Sequence, residues 1–78
     1  MNNNDILRRI RYAMNLNDNK ILKILDMGGH PVKREDIPTI MSKEDDENYQ
    51  ETSDELLNAF LDGFITFKRG AKDNPVEK

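Results

Sequence analysis

The stretch Thr52–Gly70, T-S-D-E-L-L-N-A-F-L-D-G-F-I-T-F-K-R-G, constrains the fold more than any other part of the chain. Thr52 and Ser53 are good N-cap residues, and Thr52-x-x-Glu55 fits a capping box. Asp54 and Glu55 place negative charge at the positive end of a helix dipole, Lys68 and Arg69 place positive charge at the other, and Gly70 supplies a left-handed C′ residue. The spacing predicts a helix over 53–69. At about 100° per residue, Leu56, Leu57, Phe60, Leu61, Phe64, Ile65 and Phe67 spread over roughly half the circle. A surface helix buries a narrower stripe, so this one must be covered on two sides. Gly63 in its middle costs about 1 kcal/mol against alanine. A close crossing by another helix would compensate that cost.

Three shorter helices are available to cover it. Asn3 or Asn4 can cap a helix over 5–16, after a polar, frayed start, with Ile6, Leu7, Ile10, Ala13 and Met14 on one face. Asn17 or Asp18 caps a second over 19–27, with Ile21, Leu22, Ile24 and Leu25 inward, and Gly28-Gly29 ends it. The link between the two is so short that they read as antiparallel neighbours. A third helix follows over about 34–43, with Pro38 in or near its first turn and Ile37, Ile40 and Met41 inward. Residues 44–51, E-D-D-E-N-Y-Q-E, form an acidic connector anchored by Tyr49. No segment alternates with the period of a strand. The expected fold is all-α, a small four-helix bundle over residues 1–70, with a polar tail or linker over 71–78.

At 78 residues the chain buries only a small core, and oligomerisation is a common remedy. It contains no cysteine, which removes disulfides, thiolate metal sites and a thiol nucleophile. The start M-N-N-N-D carries no signal-peptide pattern, and no apolar run approaches the ~20 residues of a membrane span. These features together lead us to expect a cytoplasmic protein. The net charge of −3 is unevenly placed. Arg8, Arg9, Arg11, Lys20, Lys23, Lys33 and Arg34 face only Asp5, Asp18 and Asp26 in the first 34 residues, whereas Lys43 is the sole basic residue among 35–67. Either the two segments attract within one fold, or they present a bipolar surface to a partner.

Four segments taken together, N-N-D-I-L-R-R-I-R-Y-A, N-D-N-K-I-L-K-I-L, S-K-E-D-D-E-N-Y-Q and L-N-A-F-L-D-G-F-I-T-F-K-R-G, resemble the YehS-like family of small bacterial proteins, a domain of unknown function, over residues 3–70. The resemblance implies an all-helical cytoplasmic protein and brings no established activity, cofactor or catalytic residue. It also implies that two copies of the unit usually stand in tandem, whereas this sequence holds one, either as a natural single-copy member or as the first half of a longer protein. In either case the face that a second copy would cover is expected to be open.

No catalytic constellation is visible. His30, the single histidine, sits in a connector before Pro31 without evident partners, and Ser53 is explained as a cap. The run Glu44–Glu47 lacks the glycine and spacing of a calcium loop, and Gly28-Gly29 lacks the lysine of a phosphate loop. No enzyme activity, metal or cofactor is expected. The leading expectation is a protein-interaction module that meets a protein partner or a second copy of itself as a homodimer, through Leu61, Phe64, Ile65 and Phe67. The alternative is a helix-turn-helix domain built from helices two and three, with Lys33 and Arg34 at the start of its recognition helix and Arg8, Arg9 and Arg11 on the phosphate backbone. The acidic balance weighs against that alternative.

Overall fold

The computed structural model describes residues 1–69, so Gly70 and the polar tail lie outside the described residues. The fold is an all-α bundle: α1 (Asn3–Ala13), α2 (Asp18–Met27), a 3-10 turn (Arg34–Asp36) that runs into α3 (Ile37–Ile40), and α4 (Asp54–Arg69). Leu7 of α1, Ile21, Ile24 and Leu25 of α2, Ile37 and Ile40 of α3, and Leu56 and Phe60 of α4 form one buried cluster, joined by Leu16 from the α1–α2 link. Phe60 lies fully buried in it and stacks on Phe64, with ring centroids 6.1 Å apart.

The start of the chain is ordered, against expectation. Asn2, not Asn3 or Asn4, is the N-cap: its side chain accepts from the Asp5 N–H at 2.8 Å, and the Asp5 carboxylate accepts from the Asn2 N–H. That frees the next two asparagines for tertiary contacts. Asn3 donates to the Thr52 carbonyl and to Asp54, both at 2.8 Å. Asn4 is fully buried and ties three segments together. Its amide nitrogen donates to the carbonyls of Thr39 and Gln50 and to Ser42 Oγ, and its oxygen accepts from the Thr52 N–H at 2.7 Å.

Helix α1 also stops earlier than expected. Asn15 takes the left-handed conformation (φ 55°), and the Leu16 N–H returns to the Arg11 carbonyl at 2.9 Å. This is a Schellman closure with asparagine in place of glycine, and it turns Leu16 into the core. The same closure ends α2, where Gly29 is left-handed (φ 85°) and the His30 N–H reaches the Leu25 carbonyl at 2.9 Å. At the start of α4 the cap is Ser53, whose Oγ accepts from the Leu56 N–H at 3.1 Å. The Thr52–Glu55 box expected from sequence is replaced, because the Thr52 hydroxyl turns inward and donates to the Ile40 carbonyl. Helix α3 is a single turn rather than the ten-residue helix expected. Ser42 folds back on the Thr39 carbonyl through both its N–H and its hydroxyl, which ends the helix there.

The main helix–helix contact is α2 on α4, not the α1–α2 pair suggested by the short link. Glycines on both helices explain the preference. A Cβ on Gly63 would stand 1.9 Å from the Ile24 carbonyl oxygen, and one on Gly28 would stand 1.8 Å from the Ala59 carbonyl oxygen. The close crossing inferred for Gly63 is therefore present, and α2 supplies it.

Tyr49 anchors the acidic connector as expected, half-buried, with its hydroxyl accepting from the Asn2 amide at 3.0 Å. Desolvation raises its pKa above the ordinary tyrosine value, the carboxylates of Glu51, Glu44 and Asp5 add to the rise, and Arg8 opposes it. A raised folded pKa means the unfolded chain ionises first. The neutral phenol's contribution is thus intact below the unfolded value of about 10 and is lost as pH climbs through the folded one. An ultraviolet titration of a Tyr12→Phe variant, in which Tyr49 is the reporting phenol, is expected to show a midpoint above that of the same variant in denaturant. Coincident midpoints would refute this.

Candidate partner-binding surfaces

The first surface lies along α4. Its amphipathic pattern turns Leu56, Phe60 and Gly63 into the core and leaves other apolar positions outside. Leu61 is 37% exposed and Ile65 is 56% exposed, one helical turn apart on the same face. Phe64 lies between them, half-buried, and Leu57 continues the stripe one turn back. Phe67 is half-buried and packs on the core. The four residues expected at a partner interface thus divide: Leu61 and Ile65 face solvent, while Phe64 and Phe67 share themselves between the core and the surface. The arc inferred from the sequence is indeed too wide for α1–α3 to cover.

The second surface is basic. Arg8, Arg9, Arg11 and Lys20 line an open depression at the corner between α1 and α2, together with Tyr12 and Asn15. Its volume is about 1140 Å³. Arg8 pairs with Asp5, and Arg11 with Asp18 at 2.9 Å. Arg9 and Lys20 are exposed and form no ion pair among the described residues. Tyr12 is 90% exposed.

Lys33 and Arg34 do not join Arg9 there. The Lys33 N–H donates to Asp36 at 3.0 Å, and Arg34 turns back onto α2, bonding Asn19 and approaching Asp18 to 4.0 Å. The helix they were expected to open is the 3-10 turn followed by one turn of α3, about 6 Å of α-helix. That is too short to lie along a major groove in the manner of a recognition helix. Tyr12 and Lys20 were missed from sequence. Tyr12 reads simply as the polar side of α1, and Lys20 comes near the arginines only because Asn15 turns the chain through a left-handed residue.

Among the described residues no group of three or more metal-capable side chains comes together, and no helix is long and apolar enough to cross a membrane.

Together these features define a small all-α unit with one open apolar helix face and one basic depression. The chain belongs to the family described as "Protein of unknown function (DUF1456)", which matches residues 3–70. It is similar to "Uncharacterized protein YehS" of Escherichia coli (strain K12), at 39% identity over 74 residues that cover 95% of this chain and 47% of that protein. The chain thus spans about half the length of this curated relative. No solved structure matches it.

Proposed function

We propose that this chain is a non-enzymatic protein-interaction module whose α4 face meets a second unit of the same fold, here another copy of itself. The observation that carries the reading is the exposure of Leu61 and Ile65 on a helix that buries Leu56 and Phe60 in the core and leaves Leu57, Phe64 and Phe67 half-buried beside them. The occupant follows from length. The E. coli relative extends to about twice the aligned portion, which leaves room for a second unit of this size within one chain. In such a protein the α4 face can be covered intramolecularly; a single unit covers it by two-fold pairing, in which the same patch serves both partners. Stable pairing needs on the order of 1,000 Å² of total buried surface, so Leu57, Phe64 and Phe67 must contribute alongside the two exposed residues.

Sedimentation equilibrium at micromolar concentration is expected to return the mass of a dimer. Ile65→Glu combined with Leu61→Glu is expected to return a monomer with unchanged helicity, because both side chains are exposed. A wild-type monomer throughout that range would overturn the proposal, as would a dimer that survives the double substitution.

A further inference from the structure

We infer that the depression between α1 and α2 is a binding surface for single-stranded nucleic acid, with Tyr12 as the base-stacking platform and Arg9 and Lys20 as the main phosphate contacts. It shares no residue with the α4 stripe and does not depend on pairing there. Among the described residues the lining contains four cationic side chains and no carboxylate, in a protein whose net charge is −3. The local field is therefore opposite in sign to that of the whole molecule. Arg9 and Lys20 extend into solvent without carboxylate partners among the described residues, so a phosphate meets them without displacing a salt bridge. Arg11 is held in place by Asp18, which offsets most of its charge, so Arg9 and Lys20 carry the local positive potential. Arg8 is incompletely satisfied by Asp5, since its Nε is buried without a hydrogen-bond partner.

Tyr12 decides the class of ligand. Cations alone would suit any polyanion, including an acidic polypeptide. A tyrosine ring 90% exposed in the midst of arginines adds a flat apolar face that no packing among the described residues uses. A cationic groove that also carries an exposed aromatic face suits single strands, because an unpaired base offers its face for stacking while the phosphates meet the cations. A duplex keeps its base faces inside the stack. At about 1140 Å³ the depression also exceeds the ~300–1,000 Å³ of typical small-ligand pockets and is open to solvent.

The test is fluorescence anisotropy of the full chain with a labelled mixed-sequence single-stranded oligonucleotide at ~50 mM salt, where phosphate contacts are favoured. Binding is expected, with a log–log salt slope of about −1.4 for two phosphate contacts. Arg9→Gln or Lys20→Gln is expected to reduce that slope by about half. Tyr12→Ala is expected to weaken binding about tenfold and Tyr12→Phe to preserve it. All three positions are exposed, and circular dichroism of each variant checks that the fold is intact. Absence of binding at that salt would overturn the inference, as would a Tyr12→Ala variant that binds like wild type. Equal competition by a poly-glutamate peptide would also overturn it and assign the surface to acidic polypeptides instead.

Discussion

Replacing Gly63 with alanine is expected to lower the midpoint of thermal unfolding by on the order of 12–24 °C, even though alanine is the better helix former. Two effects oppose each other. Removing a glycine from a helix interior stabilises it by about 1 kcal/mol. Against that, the new methyl group would stand 1.9 Å from the Ile24 carbonyl oxygen, 2.8 Å from the Gly28 nitrogen and 2.9 Å from the Ile24 carbonyl carbon. All three are backbone atoms, so no rotamer change relieves the clash. The two helices must separate by about an ångström or more, and Ile24 and Phe60, both fully buried, lose contact with their surroundings. Overpacking of this kind costs about 1–3 kcal/mol and sometimes more. Here it acts on the principal helix pair of a small bundle, and a net loss of about 3 kcal/mol is the expected outcome. A chain of this size has about 4–12 kcal/mol in total. Thermal melts followed by circular dichroism decide the matter by sign: a raised midpoint would mean that helix propensity wins and the close crossing is not formed. Gly28→Ala meets the Ala59 carbonyl oxygen at the same crossing, so the two losses should combine less than additively.

Gly63 also shows how much of this fold is legible in the sequence. A glycine in the middle of an otherwise strong helix signals close approach, and the limits of α4 follow from Ser53, the acidic first turn and the basic last turn. The partner at the crossing is another matter. The short link points to α1 against α2, but chain proximity carries less weight than the matched pair Gly28 and Gly63, which let backbones touch. The shortness of α3 was hidden because Ile37, Ile40 and Met41 keep helical spacing through a segment where Ser42 folds back on Thr39. The stripe on α4 was legible as surplus apolar arc. The basic depression was legible only in composition, since it depends on Asn15 adopting a positive φ that asparagine tolerates but does not require. The asparagines at the start were the hardest to read. A run of identical polar residues looks like a frayed end, and nothing in the string distinguishes a cap, a bridge and a buried clasp.

Asn4→Asp is expected to be among the most damaging single-atom changes in this protein, and its cost should depend on pH. The Asn4 side chain is fully buried, donates to three oxygens and accepts from one N–H. A carboxylate keeps the acceptor role toward Thr52 but turns an anion toward the Thr39 and Gln50 carbonyls. The lost donors and the buried charge together are expected to cost about 3 kcal/mol or more at neutral pH. A protonated carboxyl can still donate one hydrogen bond to this cluster. Burial and the surrounding acceptors therefore raise its folded pKa above the unfolded value of about 3.9. The deficit relative to wild type should accordingly be smallest below that value and grow as pH rises through the folded pKa. Asn4→Ala removes the same bonds without introducing a charge. It orphans the buried Thr52 N–H and is expected to lose about 2–3 kcal/mol with no such pH dependence. Urea unfolding of wild type and both variants, compared at matched pH values from acidic to neutral, separates these outcomes. An Asn4→Asp variant as stable as wild type at neutral pH would show that α1, α3 and the connector into α4 are not joined through this residue. A deficit that stays constant with pH would show that the new carboxyl reaches solvent instead of the clasp.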